Sequence, residues 1–436
     1  MKKVYLSALG FALMCQMATG RTKTVYNYYR YRNVITAPSD TDTTYKERKL
    51  RVDEVDFVSS YYNQNGNHSA VTGGIGSEKV TDIANGITLN MVWRNQAMHK
   101  NTLAVGFGFD YHTAASQAFV SQTGASSKDG TRIYPSLDWT VENEKKGTSF
   151  GIGAYYSGEY NYQSLGADLH WSAKTSDKNG EFTAKLQAYL DQVKLIYPSE
   201  LIPQTTTVTS TGTVVVTSAS GTVLSGSGNG HGSKANIPSS PRDTYSASFS
   251  YMQQIDPRLQ IMFLGDVVTQ NGYLGLPFHR VYFNTGKDTV EKLPSSRFKL
   301  PLGFRLNYFL GDNIIIRSYY RYYMDDWGIR SNTIGLEVPY KITPFFSISP
   351  FYRFYNQTAA KYFAPYETHL PTDQYYTSNY EYSKFNSGFF GVGFRVAPPK
   401  GVLGWQNLHD LEIRYGHYTQ NTGLGSDVVS LGLSFK

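Results

Sequence analysis

The stretch Thr102-Leu-Ala-Val-Gly-Phe-Gly-Phe-Asp-Tyr-His112 alternates large apolar side chains with small or polar ones. Successive side chains of a β-strand point to opposite faces, so this pattern predicts a strand with one apolar and one polar face. The same two-residue period recurs in Ile83–Trp93, in Phe298–Tyr308 and in Val429–Phe435. From about residue 50 to the end, the chain is therefore predicted to be all-β.

The alternating segments are long for β-strands and carry aromatic residues near their ends. Most span about 11 to 15 residues, whereas strands of soluble proteins average five or six. Tyrosines crowd the segment ends at Tyr61-Tyr62 and Tyr319–Tyr323, as expected where a strand crosses the two interfaces of a bilayer. These features predict a closed antiparallel transmembrane β-barrel. Sixteen segments are predicted, with 14 to 18 still open: 50–63, 79–93, 101–114, 130–143, 148–160, 161–175, 180–193, 242–255, 257–270, 297–310, 313–326, 328–341, 344–357, 384–397, 407–420 and 426–436.

The connections between these segments divide into two kinds. Those after even-numbered segments are short, such as Asp256-Pro257 and Gly311-Asp-Asn313. Long connections occur only among the others, at 64–78, 115–129, 194–241, 271–296 and 358–383. Short periplasmic turns and long extracellular loops are the outer-membrane pattern. Within the long loop 194–241, the Thr/Ser/Gly-rich run 204–234 is interpreted as a flexible loop, with a hairpin extension or a segment folded into the lumen as alternatives.

The N-terminus reads as a targeting segment followed by a tail. Lys2 and Lys3 precede the apolar run Val4–Cys15, and small residues close the segment, so residues 1–20 are predicted to be a signal peptide. The alternative is a lipidated Cys15, the only cysteine, so no disulfide is expected. Residues 21–49 show no sustained alternation and are predicted to be a periplasmic tail, leaving 50–436 for the barrel. The predicted location is the bacterial outer membrane.

Three stretches resemble one family. They are Val52–Tyr62 with the following "NQNGNHSAVTGGIGSEKVTD", Arg132–Trp139 with "VENEKKGTSFGIGA", and "KNGEFTAKLQAYLDQVKLIYP". They are similar to the Bacteroidetes outer-membrane proteins of domain-of-unknown-function family 3570. The resemblance covers roughly residues 48–198 in specific motifs, while the Thr/Ser/Gly-rich loop and residues 21–40 depart from it. It implies an outer-membrane β-barrel, carries over no catalytic residue and hints at an export or envelope-redox context.

Charged residues on the polar face separate by sign along the chain. Around a closed barrel, acids of the first half would face arginines of the second and create a transverse field that orients dipolar solutes. The alternative is that these charges pair across strands and fill the lumen, because burying unpaired charge is costly. The predicted acidic wall comprises Asp82, Asp110, Asp138 and Asp168, and the predicted basic wall comprises Arg305, Arg317, Arg321, Arg353 and Arg395.

The glycine-rich run Ser69–Lys79, "SAVTGGIGSEK", does not meet the requirements of a phosphate-binding loop. A Walker loop leads from a strand into a helix, whereas this run leads into the alternating segment after Val80. We expect its glycines to permit a positive-φ path in the first extracellular loop. Alternatively, the run folds inward and places Glu78 and Lys79 at a constriction.

The sequence gives little support for an enzyme or a metal site. His112 and His170 each follow an aspartate by two residues, but their strands are three apart, roughly 15 Å around the wall at about 4.8 Å spacing, so no shared metal is expected. No GxSxG or HExxH motif occurs, and no catalytic residue, metal or cofactor is predicted. The net charge of +7 is mild for this length, which argues against nucleic acid as a partner.

The sequence therefore predicts a channel or passive transporter for small polar solutes. The alternative is a non-conducting barrel that scaffolds a periplasmic or lipoprotein partner in export or envelope redox processes. In either case the expected environment is the lipid bilayer of the outer membrane. The oligomeric state is left open.

Overall fold

The computed structural model describes residues 49–113, 129–196, 201, 204–208, 214–218, 223–224 and 238–436. Sixteen strands form one closed antiparallel sheet. The strands are β1 (Arg51–Asn65), β2 (Val80–Arg94), β3 (Lys100–Thr113), β4 (Asp129–Asn143), β5 (Thr148–Glu159), β6 (Tyr162–Lys174), β7 (Gly180–Lys194), β8 (Ser239–Asp256), β9 (Leu259–Gly272), β10 (Ser296–Leu310), β11 (Ile314–Asp325), β12 (Arg330–Glu337 continued by Tyr340–Thr343), β13 (Phe346–Gln357), β14 (Phe385–Val396), β15 (Leu408–Gln420) and β16 (Gly425–Phe435).

Each strand pairs with its neighbours in sequence, and the ring closes where the last strand meets the first. In that seam Val55 of β1 lies opposite Phe435 of β16, the first of eleven residue pairs in register. Closure leaves no strand edge with unpaired N–H and C=O groups, which a bilayer does not tolerate. The predicted all-β, sixteen-stranded antiparallel barrel is confirmed.

One strand differs from its prediction. The segment 328–341 is expected to be continuous, but β12 is interrupted at Val338-Pro339. Proline has no N–H to give to the ladder, so it is confined to edges and irregular positions of a sheet. The ladder is carried past the break by the Val338 N–H, which donates to Pro350, and by the Pro339 carbonyl, which accepts from Ile315.

The two faces of the barrel follow the alternation seen in the sequence. Phe107 and Leu137 point outward with about half of each side chain exposed, 51% in both cases. Between such residues, Asp82 and Asp110 point inward and are almost fully buried. The outer surface is thus an apolar band suited to lipid, and the inner surface is polar.

No helix among the described residues is long and apolar enough to cross a membrane. Within the long loop 194–241, the described parts form three short strands, Gln204–Val208, Val214–Ser218 and Val223–Leu224, which pair in a separate small sheet. This agrees with the hairpin alternative for the low-complexity run. The predicted signal peptide 1–20 and the predicted tail 21–49 lie outside the described residues, apart from Lys49.

Inward-facing glycines let side chains from the next strand lie flat on the wall. Gly108 of β3 is paired with Tyr134 of β4, and a Cβ atom on Gly108 would overlap the Tyr134 ring. Gly166 accommodates the ring of Tyr189 in the same way. The wide polar interior is thus lined by tyrosine rings held against the backbone.

Candidate functional site: the barrel lumen and its loop cap

Three arginines of the predicted basic wall lie together on the inner surface of β10, β11 and β13. The register places Arg305 opposite Tyr319, Tyr319 opposite Gly335, and Gly335 opposite Arg353. Arg321 is two residues further along β11 on the same face. The Tyr319 hydroxyl lies within electrostatic range of all three guanidinium groups. We call Arg305, Arg321 and Arg353 the cationic wall.

The cationic wall is held by aromatic rings. The guanidinium carbon of Arg305 lies 5.3 Å from the centre of the Tyr319 ring, and that of Arg353 lies 5.0 Å from the centre of the Phe389 ring. Among the described residues, no carboxylate lies within ion-pair distance of Arg305, Arg321 or Arg353. An unpaired charge inside a dry core would be very costly. All three side chains keep partial exposure on the inner surface.

The other two predicted basic-wall residues are paired. Arg317 contacts Glu337 at 3.4 Å. Arg395 binds the Asp410 carboxylate through Nε at 3.1 and 3.0 Å and through Nη2 at 2.5 Å. The predicted basic wall therefore divides into three arginines without a carboxylate partner and two that belong to cross-strand ion pairs.

The predicted acidic wall is partly neutralised. Asp110 forms an ion pair with Arg132 of the adjacent strand at 3.0 Å, and Asp168 forms one with Lys185 at 3.3 Å. Asp82 is buried beside the Asp110–Arg132 pair and interacts electrostatically with both. Acids and bases of the first half thus form a network along β2 to β7 rather than an unpaired arc.

Several charged residues of the inner face were not predicted from the sequence. Arg132 pairs with Asp110, Arg242 contacts Asp191 at 3.3 Å, and the Nε of Arg297 donates to Asp325 at 3.0 Å. Arg132 precedes Ile133, which points outward. The alternation alone therefore indicated that Arg132 points into the lumen.

His112 on β3 and His170 on β6 have different partners. His112 faces Glu159 at 3.5 Å, and both side chains are almost completely buried. His170 Nδ1 lies 2.9 Å from Asp168. The two Asp-x-His motifs therefore belong to separate parts of the wall.

Three extracellular loops meet over the barrel mouth. They are 66–79 between β1 and β2, 273–295 between β9 and β10, and 358–384 between β13 and β14. We call them, together with the turn 326–329, the loop cap. In a ring of sixteen strands, β1 and β9 lie on opposite walls, so a contact between their loops must cross the mouth. Strands about 4.8 Å apart and tilted by about 40° enclose a ring roughly 30 Å across.

The contacts across the mouth are specific. Arg280 Nη1 donates a hydrogen bond of 2.7 Å to the carbonyl of Val71, and both residues are buried. His68 stacks on Tyr380 with ring centres 3.7 Å apart. The first loop therefore touches both of the other long loops of the cap.

The loop cap has its own apolar core. Trp327, Ile329, Ala360 and Tyr382 form a buried cluster. The guanidinium carbon of Arg297 lies 4.4 Å from the centre of the Trp327 ring, and the indole N–H donates to the Ser296 carbonyl at 2.9 Å. A packed core shows that the cap is a folded unit and not a set of independent loops.

The run Ser69–Lys79 supplies the close approaches in this cap. Gly73, Gly74 and Gly76 have φ values of 78°, 92° and 80°, which confirms the predicted positive-φ path. A Cβ atom on Gly73 would overlap the Tyr282 ring, and one on Gly74 would lie 2.6 Å from the Ser378 carbonyl. The predicted constriction pair separates, because Glu78 is buried and Lys79 is exposed. Its role as a constriction stays a prediction.

The closed barrel, its apolar belt and its charged interior define a transmembrane β-barrel of the outer-membrane type. The chain belongs to the family described as protein of unknown function (DUF3570), whose model matches residues 18–428. This match confirms the family to which the sequence motifs pointed. A comparison with curated proteins gives no match.

Several solved structures align with most of this chain. OccK1 (OpdK) of Pseudomonas aeruginosa aligns with a TM-score of 0.37 and 6% identity over 89% of this chain and 99% of its own. A BenF-like porin from Pseudomonas fluorescens Pf-5 aligns with a TM-score of 0.38 and 8% identity over 88% and 98%. CdiB from Acinetobacter baumannii aligns with a TM-score of 0.41 and 8% identity over 87% of this chain and 60% of its own. With TM-scores below 0.5, these alignments carry no conclusion about this chain.

Proposed function

We propose that this protein is an outer-membrane channel for small polar solutes that carry an anionic group. The observation that supports it is the cationic wall, three arginines on one inner surface with no carboxylate partner among the described residues. Guanidinium groups in this state require water around them, so the wall favours a hydrated lumen. They also present donors with the geometry that carboxylates and phosphates accept.

The remaining lumen charges give the solute an orientation. The buried Asp82 and the partly exposed Asp138 lie on the opposite half of the ring from Arg321. A dipolar solute between them would turn its anionic end toward the cationic wall, because charge on low-dielectric walls focuses the field inside a pore. The proposal assigns the lumen to passage of solutes and not to catalysis.

The loop cap makes the proposed channel narrow at its outer end. Because the first loop reaches the opposite wall through Val71 and Arg280, the mouth is not an open ring. We expect a small unitary conductance compared with an unobstructed barrel of sixteen strands, which leaves an aqueous channel.

The test is electrical. The purified barrel in a planar bilayer should show unitary conductance steps, and a salt gradient should give a reversal potential of the sign for anions. Steps with cation preference would reject the assignment of solute class. The absence of any steps would reject the channel itself.

The same loop cap favours a second candidate, a non-conducting barrel that scaffolds a partner. A folded cap with its own core, such as the Trp327 cluster, is what a closed barrel would present to the outside. Silent bilayers together with a partner that co-purifies in fixed stoichiometry would support this candidate.

A further inference from the structure

The lumen wall has a trough along β5, which lies between β4 and β6. The inward positions of β5 include Gly151 and Gly153. Gly151 pairs with Thr140 on one side and His170 on the other. A Cβ atom on Gly151 would overlap the His170 ring. Side chains from β4 and β6 therefore lean over the glycine backbone and meet above it.

Two carboxylates flank the second glycine of this trough. Gly153 pairs with Asp138 of β4 and with Asp168 of β6, and a Cβ atom on Gly153 would overlap the Asp168 carboxylate. One ligand atom each from Asp138, Asp168 and His170 lies within 4.8 Å of the other two. His170 Nδ1 is 2.9 Å from Asp168 Oδ1 and 3.9 Å from Asp138 Oδ2.

The other carboxylate oxygens already have donors. Asp168 Oδ2 accepts from the Tyr155 hydroxyl and lies 3.3 Å from Lys185 Nζ. Asp138 Oδ1 accepts from the Thr140 hydroxyl at 3.2 Å. The two remaining oxygens, Asp168 Oδ1 and Asp138 Oδ2, both face the imidazole ring of His170.

The Thr140 hydroxyl holds the His170 ring in place. Its oxygen lies 2.9 Å from His170 Nε2, and the hydroxyl also lies 3.2 Å from Asp138 Oδ1. A metal-binding histidine commonly has such a partner on its outer nitrogen, which fixes the orientation of the ring. The other nitrogen, Nδ1, is the one directed at the two carboxylate oxygens.

We propose that Asp138, Asp168 and His170 bind a divalent metal ion of the Zn²⁺ class on the lumen wall. Ligands in tetrahedral zinc sites lie about 2.1 Å from the ion, which places them about 3.4 Å from each other. His170 Nδ1 lies 2.9 Å from Asp168 Oδ1 and 3.9 Å from Asp138 Oδ2, one distance below and one above that spacing. Small side-chain rotations would therefore bring the three atoms to the spacing of zinc ligands. One carboxylate pair and one imidazole suit zinc and neighbouring transition metals better than Mg²⁺ or Ca²⁺.

The ion would keep an open position facing the lumen. The Asp168 side chain is fully buried, whereas the Asp138 side chain is 36% exposed, so the approach is from the lumen side. Three protein ligands with a fourth position for water or solute are typical of zinc sites that are not purely structural. The site is assembled whether or not the barrel conducts, so this inference does not depend on the proposed channel.

Metal titration of the folded barrel tests the proposal. The purified protein in detergent is stripped with a chelator and titrated with Co²⁺ by visible absorption and with Zn²⁺ by calorimetry. We expect one ion per chain, with at least tenfold weaker binding in His170→Gln and in Asp138→Asn. Thr140→Val keeps the shape of the side chain but removes the hydroxyl, and second-shell losses of this kind weaken binding by about 10- to 100-fold.

A histidine–aspartate pair elsewhere provides the matched control. His417 Nδ1 lies 2.8 Å from Asp427, a comparable contact that is not part of a three-ligand group. His417→Gln should leave the titration unchanged. A folded barrel migrates differently on a gel before and after heating, and this difference identifies the variants that fold. If a ligand variant does not fold, the comparison with wild type is made with Thr140→Val instead.

Two results would overturn the proposal. If the wild-type barrel takes up no Co²⁺ even in molar excess, Asp138, Asp168 and His170 form a hydrogen-bonded cluster and not a metal site. If His170→Gln binds with wild-type stoichiometry and affinity, the ion lies elsewhere on the protein.

Discussion

Arg280 and Val71 are 209 residues apart in sequence, yet the guanidinium of the first donates a 2.7 Å hydrogen bond to the carbonyl of the second. Their loops rise from opposite walls of the barrel, so this bond spans the mouth. Both residues are buried, which makes the bond part of the packed cap and not a surface contact. With the His68–Tyr380 stack, this bond is one of the contacts that hold the first loop across the mouth.

Arg280→Ala should open the loop cap. The substitution removes the donor that holds the first loop to the opposite wall and leaves the Val71 carbonyl buried, at a cost of about 1–3 kcal/mol. We expect larger unitary conductance and faster protease cleavage within 66–79. Lys287→Ala, at an exposed position of the same loop, should change neither. Equal conductance in both variants would show that this bond does not restrict the mouth.

Arg321→Gln with Arg353→Gln should weaken anion preference. A unit charge 4 Å away contributes about 1 kcal/mol even at the dielectric constant of water, so removing two should lower the anion-to-cation permeability ratio on the order of tenfold. The measurement is the reversal potential in a salt gradient. The control removes a paired couple, Arg395→Gln with Asp410→Asn, which leaves the net charge unchanged and should shift the potential much less.

Gly108→Ala should destabilise the barrel, whereas Gly86→Ala should not. The two glycines lie directly opposite each other on β2 and β3. A methyl group on Gly108 would overlap the Tyr134 ring, but one on Gly86 meets nothing within 4 Å. Overpacking of this kind costs about 1–3 kcal/mol. Urea unfolding in lipid vesicles gives the two free energies of unfolding, and equal values would show that Tyr134 swings away without penalty.

Trp327→Ala should loosen the cap without unfolding the barrel. The indole is buried under Arg297 and packs against Tyr382, and replacing such a side chain by alanine costs about 3–5 kcal/mol. Limited proteolysis should then cut within 358–384 while the heat-dependent gel shift persists. Trp405→Ala provides the comparison, because Trp405 is 58% exposed at the other end of the barrel. An uncut loop in Trp327→Ala would contradict a cap that depends on this cluster.

The alternation of the sequence was sufficient to find the strands and their faces. Residues 107–110 show why. Phe107 and Phe109 point outward, Gly108 and Asp110 point inward, and the alternation of residue types records this directly. It did not reveal the register between strands, so the pairing of Asp110 with Arg132 was not predicted. Nor did it reveal how loops distant in sequence meet, because the Val71–Arg280 bond depends on the curvature of the whole ring.

The candidate site was predicted in outline only. All five arginines of the predicted basic wall lie on the strands where they were expected. Two of them, Arg317 and Arg395, form ion pairs with acids on neighbouring strands, and the alternation within one strand cannot identify such partners. The convergence of Asp138 with His170 depends on the glycines of the intervening strand. A glycine in a strand pattern signals a close approach without saying which side chain makes it.

The seam between β1 and β16 bears on how the barrel is made. Asp56 accepts a hydrogen bond of 2.6 Å from Ser434, 378 residues later in the chain. A sheet that lacked this seam would leave the N–H and C=O groups of β1 without partners, which is costly in lipid and invites pairing with other chains in water. The seam joins the two ends of the barrel sequence, so residues 425–435 are what turns an open sheet into a closed wall.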